Sequence, residues 1–271
     1  MLILSERLLG FEQYYVNLAD ETCKLLLDNN QRLQFYTTFN GSRQYGYHNE
    51  NSDFDFIGFY ISKFRPAAFF DSGYLSHINK TNIIDVDNKQ LVINYSLWDL
   101  EKFYYLLSNY SLQPLELLFA AQLKSTVTFD RKELAMIYFE KFPIGLFHNL
   151  INFAINSYSD FVNQVREKRQ IYGMQKNEFY ANFRLYQAQQ LLSLYTDYYN
   201  VSFEHYEMLF NESIVKHMLI SQFEFSYDSC NELKEQVDLV SKKLNAHRQT
   251  QRFYEIYKNH FKELIICNDL D

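Results

Sequence analysis

A small-residue pair and two acids stand close together in the first quarter of the chain: Gly41-Ser42, then Asp53 and Asp55. A Gly-Ser pair lets backbone amides approach an anion closely, the makings of a phosphate cradle. Asp53 and Asp55 are separated by one residue, so on a strand both carboxylates project from one face. Two carboxylates beside such a cradle form a seat for Mg²⁺, a hard cation that shares oxygen ligands between protein and substrate phosphates. A cation there would polarise a phosphate and help deprotonate an attacking hydroxyl. Taken singly, Gly-Ser is an ordinary turn and Asp-x-Asp an ordinary solvated strand edge. Their order, their separation and the strands on both sides turn the odds, and adjacent buried acids favour a cation on their own account.

These residues need elements to hold them. Residues 34–39 are β-branched and aromatic and read as a strand running into the Gly41 turn. A helix is expected to begin at that turn and to offer its N-terminus to phosphate. Residues 54–61, almost continuous aromatics and Ile, read as a second strand. An Asn-, Ser- and Asp-rich loop follows, then a third strand at 91–96. Ser96 is the expected N-cap of a helix over 97–108. The first thirty residues carry helical spacing. From Leu115 onward no strand is expected: residues 115–124, 131–141, 144–167, 176–199, 203–222 and 228 to the end all read as helical. The expected fold class is α+β, with a small mixed β-sheet core in a domain over 1–119 and a large C-terminal all-helical domain over 120–271.

Composition narrows the function classes. The 271 residues are 47% hydrophobic and 22% charged, which excludes wholesale disorder, and the scarcity of breakers (7 Gly, 3 Pro) favours long helices. A formal net charge of −7 argues against bulk DNA binding but leaves room for a local basic groove. Candidates for such a groove are Lys124, Arg131 and Lys132, and Arg166, Lys168 and Arg169; the plainer reading of both is a solvated face. Cys23, Cys230 and Cys267 lie too far apart for a disulfide framework or zinc ligands. No apolar run approaches the ~18 residues of a membrane span, and the start of the chain is unlike a signal peptide. A cytoplasmic protein with no membrane partner is expected. Trp98 reads as core packing and His48 as a loop residue. Glycine spacing fits neither the P-loop nor the dinucleotide fingerprint, and Gly-Ser-Arg is not a nucleophile elbow.

Gly41-Ser42-Arg43-Gln44-Tyr45-Gly46 followed by Ser52-Asp53-Phe54-Asp55-Phe56-Ile57-Gly58 resembles the signature of the DNA polymerase β nucleotidyltransferase superfamily. The similarity is nearest to the predicted nucleotidyltransferases of bacteria and phages. It continues through Tyr95-Ser96-Leu97-Trp98-Asp99-Leu100-Glu101-Lys102-Phe103 and Gln113-Pro114-Leu115-Glu116-Leu117-Leu118-Phe119, and more faintly at Arg184. The resemblance implies a nucleotidyltransferase core in the small sheet and a transfer of a nucleoside monophosphate from an NTP to a hydroxyl, with release of pyrophosphate. It implies that Gly41 and Ser42 hold the triphosphate, with Arg43 touching phosphate or buttressing the loop, and Tyr45 and Ser52 completing the nucleotide-binding set. It further implies that Asp53 and Asp55 bind Mg²⁺ or Mn²⁺ as catalytic metal ligands. The acceptor stays open between an RNA end, a protein side chain and a small molecule, in the cytoplasm of a host if the chain is phage-encoded. A third acid belongs on the next strand, and alignment from the Leu-x-Lys-Phe helix puts Asn94 there; Asp85 or Asp87 could serve only in another register. An asparagine carries no charge, so a second reading is a degenerate fold that binds nucleotide or protein as a regulatory module.

Overall fold

The computed structural model describes residues 34–48, 52–61, 77–86, 89–120, 122–125, 129–140, 143–166, 171–197 and 201–244. The helix expected over the first thirty residues and the last part of the C-terminal helical run lie outside the described residues. Five strands form one mixed sheet: β1 (Gln34–Phe39), β2 (Phe54–Ile61), β3 (His77–Val86), β4 (Lys89–Asp99) and β5 (Gln122–Ser125), in the order β3-β4-β2-β1-β5. β2 and β4 run parallel, and every other pair is antiparallel. The helices are α1 (Leu100–Ser108), α2 (Leu112–Phe119), α3 (Arg131–Phe139), α4 (Ile144–Arg166), α5 (Ile171–Asp197), α6 (Phe203–Leu209), α7 (Glu212–Ile220) and α8 (Tyr227–Lys243). The architecture is α+β, a small sheet followed by a large helical region.

β2 lies at the centre of the sheet, and its run of Phe54, Phe56, Ile57, Phe59 and Tyr60 is buried on both faces. That explains a nearly continuous apolar strand where a half-exposed one would alternate. The ring of Phe59 stacks on Tyr36 of β1 at 5.5 Å and meets Phe103 of α1 at 5.1 Å. From there one apolar core continues through α2, α3 and the long α4 and α5 to Val237 of α8. The sheet and the helices therefore share a core.

Several expected elements change. The segment expected as a loop contains β3, an edge strand whose exposed Asn79, Thr81 and Ile83 read as loop composition. β4 does not stop at Ser96 but runs to Asp99, so Ser96 is not the helix cap. The N-cap is Asp99, whose carboxylate accepts from the Glu101 amide at 2.9 Å. A strand does occur after Leu115: β5 pairs with β1, and the helix expected over 115–124 ends at Phe119. The run expected over 203–222 is two helices, broken at Phe210, with Asn211 capping the second through the Ser213 amide. No helix begins at the Gly41 turn; residues 41–46 form a turn only.

Gly58 shows how tightly the centre is packed. A Cβ there would lie 2.2 Å from the Tyr36 carbonyl oxygen and 2.9 Å from Leu97 Cδ2, so backbone of the neighbouring strand would have to move. Gly58→Ala is expected to lose about 3 kcal/mol, read as a lowered midpoint in urea unfolding.

Candidate active site

The turn after β1 is pinned to the head of β2, where the Asn40 amide donates to the Asp55 carbonyl at 2.8 Å. Gly41 follows at φ +62°, a conformation that favours glycine, and a Cβ there would sit 3.2 Å from Asp55 Oδ2. Backbone thus approaches the carboxylate closely. The Tyr45 and Tyr47 amides close the turn onto the Gly41 and Ser42 carbonyls at 3.3 and 3.0 Å. Arg43 folds back over β2: its guanidinium lies 3.4 Å from the centre of the Phe54 ring and donates to the Ser52 carbonyl at 3.2 Å and the Asp53 carbonyl at 3.4 Å. In this arrangement Arg43 clasps the entry to the acid-bearing strand, and Ser52 takes part through its backbone.

Asp53 is exposed just ahead of β2 and Asp55 is half-buried within it, while the intervening Phe54 and the following Phe56 are buried. The parallel register sets Asp55 directly beside Asn94 of β4. The Asn94 side-chain amide donates to Asp55 Oδ1 at 2.9 Å, and its Oδ1 accepts the Thr81 hydroxyl at 2.8 Å. Thr81 stands opposite Asn94 in the β3–β4 ladder, so a line of hydrogen bonds crosses three neighbouring strands. Asp85 pairs with Gln90 further along that ladder, away from Asp55, and Asp87 lies outside the described residues. Thr81 went unnoticed in the sequence because its strand did. Among the described residues no group of three or more His, Cys, Asp or Glu side chains is placed to hold a metal ion. The donors that are present still fit a divalent cation in kind: the Asp53 and Asp55 carboxylates, two residues apart at the head of β2, are hard oxygen ligands, and a glycine stands next to Asp55 Oδ2. Other ligands would come from substrate phosphates and water.

Beneath the turn lies a buried polar cluster. Glu116 of α2 and Arg184 of α5 form an ion pair at 2.7 Å, with 3% and 7% of their side chains exposed. The Tyr45 hydroxyl donates to the same Glu116 Oε1 at 2.7 Å, and Arg184 reaches that hydroxyl at 3.4 Å and Gln187 Oε1 at 2.8 Å. Gln187 in turn donates to the Leu209 carbonyl at 2.8 Å. Burial alone would weaken the hold of Arg184 on its proton, but Glu116 and Tyr45 more than offset that and keep it charged. Burial first, then the Glu116 carboxylate, pushes the Tyr45 hydroxyl well above its ordinary range, so it stays a donor. Gln44 adds hydrogen bonds to the Glu116 and Phe210 carbonyls at 3.1 and 3.0 Å, and the Tyr47 hydroxyl meets that of Tyr180 at 2.8 Å. Tyr45, expected beside the nucleotide, is 1% exposed and faces this cluster. The signal that could have found the pair is a lone Glu and a lone Arg inside apolar runs, since charges are rarely fully buried unless paired.

The remaining candidates are structural in their contacts. Trp98 is a buried strand residue whose ring stacks on His77 at 5.8 Å. Arg131 bonds the Ala120 carbonyl and pairs with Glu207 at 3.9 Å, and Lys132 pairs with Glu204 at 3.7 Å, so these two basic residues face acids of α6. Cys230 is free and buried, its thiol pushed up to about 11 by desolvation. No helix among the described residues is long and apolar enough to cross a membrane.

A family match places this fold among the DNA polymerase β-like nucleotidyltransferases. The sequence profile of the RNA repair pathway DNA polymerase beta family matches residues 27–207, more than half of the chain, and the chain belongs to that family. Among solved structures it is similar to a nucleotidyltransferase-like protein from Exiguobacterium sibiricum, with 10% identity and a TM-score of 0.28 over 89% of this chain and 77% of that one. No curated protein matches it in sequence.

Arg184→Met should strand Glu116 in the core and lower unfolding free energy by about 3–5 kcal/mol. Combining it with Glu116→Leu should recover most of that loss, measured by denaturant unfolding of the two variants side by side.

Proposed function

We propose that this protein transfers a nucleoside monophosphate from an NTP to the hydroxyl of an RNA end. The observation that carries the reading is the close approach of the Gly41 turn to Asp55, which brings turn backbone and a carboxylate to one place, as binding a triphosphate and a metal together would require. The triphosphate would lie along Gly41 and Ser42, with Asp53 and Asp55 holding Mg²⁺ or Mn²⁺ on the neighbouring strand. When bound, the cation supplies positive charge against the phosphates and acidifies an adjacent hydroxyl. The acceptor oxygen attacks the α-phosphorus and forms the new O–P bond. The bond from that phosphorus to the α–β bridging oxygen breaks, pyrophosphate leaves with the bonding pair, and the hydroxyl proton passes to solvent. The chain's own part is to position: Arg43 fixes the head of β2, and Tyr45 and Gln44 fix the turn. An RNA acceptor is favoured over a protein side chain or small molecule by the family to which the chain belongs, described as acting in RNA repair.

A second reading has its own observation. Asn94 stands beside Asp55 in the sheet register; by the resemblance, this is where a third acid is expected, and a fold without that charge fits a nucleotide- or protein-binding regulatory module. An assay with each α-labelled NTP, Mg²⁺ or Mn²⁺, and total RNA or total protein as acceptor separates the two. Label on RNA is expected, with the Asp53→Asn/Asp55→Asn double variant slower by roughly a thousandfold. A folded double variant with full activity would sink the enzyme reading. Calorimetric nucleotide binding with no label on any acceptor would favour the module.

A further inference from the structure

We infer that this site takes one divalent cation per bound nucleotide, because Thr81 and Asn94 hold the Asp55 carboxylate in a way that excludes a second. The inference rests on the nucleotidyl-transfer reading and goes beyond it. The Asp55 carboxylate has only acceptor atoms, so at 2.9 Å the group facing its Oδ1 must be the donating end of the Asn94 amide. The other end is taken up as well, since Asn94 Oδ1 accepts the Thr81 hydroxyl at 2.8 Å. Turning the amide to offer its oxygen to a cation gives up the 2.9 Å hydrogen bond to the charged carboxylate, which a second cation would have to displace. The edge that Asn94 presents beside Asp55 therefore carries N–H dipoles, positive toward the place where a second cation would lie.

Geometry on the other side of the carboxylate differs. Asp55 Oδ2 faces Gly41, which has no side chain of its own to place there, and Asp53 is exposed two residues away, just ahead of β2. One cation held by Asp55 Oδ2, Asp53 and the triphosphate leaves both side-chain hydrogen bonds of Asn94 intact. Two cations, separated by roughly 3.5–4 Å as two-metal sites require, would displace the Asn94–Asp55 bond and would share only two protein carboxylates. Thr81 and Asn94 are positioning residues in this scheme, acting on Asp55 rather than on substrate.

The test counts bound Mn²⁺ by electron paramagnetic resonance on the full chain, saturated with an NTP analogue whose α–β bridge is a methylene. One Mn²⁺ per bound nucleotide is expected for the native chain and two for Asn94→Asp. Melting temperature supplies a second readout: Asn94→Asp should melt below the native chain without cation and regain the difference with Mn²⁺, because its new carboxylate faces Asp55. Two Mn²⁺ in the native chain would overturn the inference while leaving nucleotidyl transfer standing. An Asn94→Asp variant that still binds one and whose melting ignores Mn²⁺ would also overturn it. No nucleotide and no Mn²⁺ bound to the native chain would remove the nucleotidyl-transfer reading and this inference with it.

Discussion

Glu116 and Arg184 meet where water does not reach, and the position of the Gly-Ser turn depends on how that meeting is satisfied. Removing two charges from water costs several kcal/mol per ion, and their attraction repays it only when the remaining donors and acceptors also find partners. Here Tyr45 donates to the carboxylate, Gln187 Oε1 accepts a guanidinium N–H, and the Gln187 amide donates onward to the Leu209 carbonyl. Apolar residues of the same shape would serve stability equally well. What the ion pair adds is direction: a hydroxyl that must reach one carboxylate oxygen gives the Tyr45 ring one place to lie, and with it the turn that Tyr45 closes.

From that anchor the site follows by contact. α5 fixes Arg184, Arg184 and α2 fix Glu116, and Glu116 fixes Tyr45. Gln44 ties the same turn to backbone of α2 and to Phe210 between α6 and α7. The turn then sets Gly41 against Asp55, and the sheet register sets Asn94 and Thr81 on the far side of that carboxylate. In the proposed nucleotidyl transfer, the turn and the carboxylate would be held in place before phosphate or cation arrived, which is where electrostatic catalysis draws its advantage. The helical region thus acts on the site through the turn it holds, in addition to any wall it offers a substrate.

Local chemistry made part of this legible. β1 and β2 carry their own signals, β-branched and aromatic residues ending in Gly-Ser and a buried aromatic run behind Asp-x-Asp, and both strands fall where those residues begin and end. β3 did not, because an edge strand with one exposed face uses Asn and Thr as a loop does. β5 is four residues long, too short for alternation to show, and it owes its conformation to pairing with β1. Asp99 outcompeted Ser96 as helix cap because β4 gains three more rungs against β2 before the chain turns. The Glu116–Arg184 pair and the Thr81–Asn94–Asp55 line join elements remote in the chain, and single-residue patterns carry no record of which remote partner is chosen. The candidate site, two acids and a glycine turn, was readable since its residues are neighbours in sequence; what holds them was not, since it comes from elsewhere.

Asn94 also bears on why the site can stay organised without ligand. A carboxylate in its place would stand about 3 Å from Asp55, a repulsion of roughly 5 kcal/mol at an effective dielectric near 20. That energy would push the strands apart or hold a proton between the acids until a cation arrived. The amide replaces the repulsion with a hydrogen bond to a charged acceptor, worth about 1.5–3 kcal/mol in the opposite direction; the acceptor-only carboxylate sets which end of the amide faces it, and the Thr81 hydroxyl satisfies the other end. The gain in the empty site is matched by a loss in the loaded one, where a third negative charge would draw in a second cation and stabilise charge developing on the acceptor oxygen. Under the proposed transfer, a neutral residue at this position would shift electrostatic work from the protein to the nucleotide, whose own phosphates would supply the remaining negative ligands.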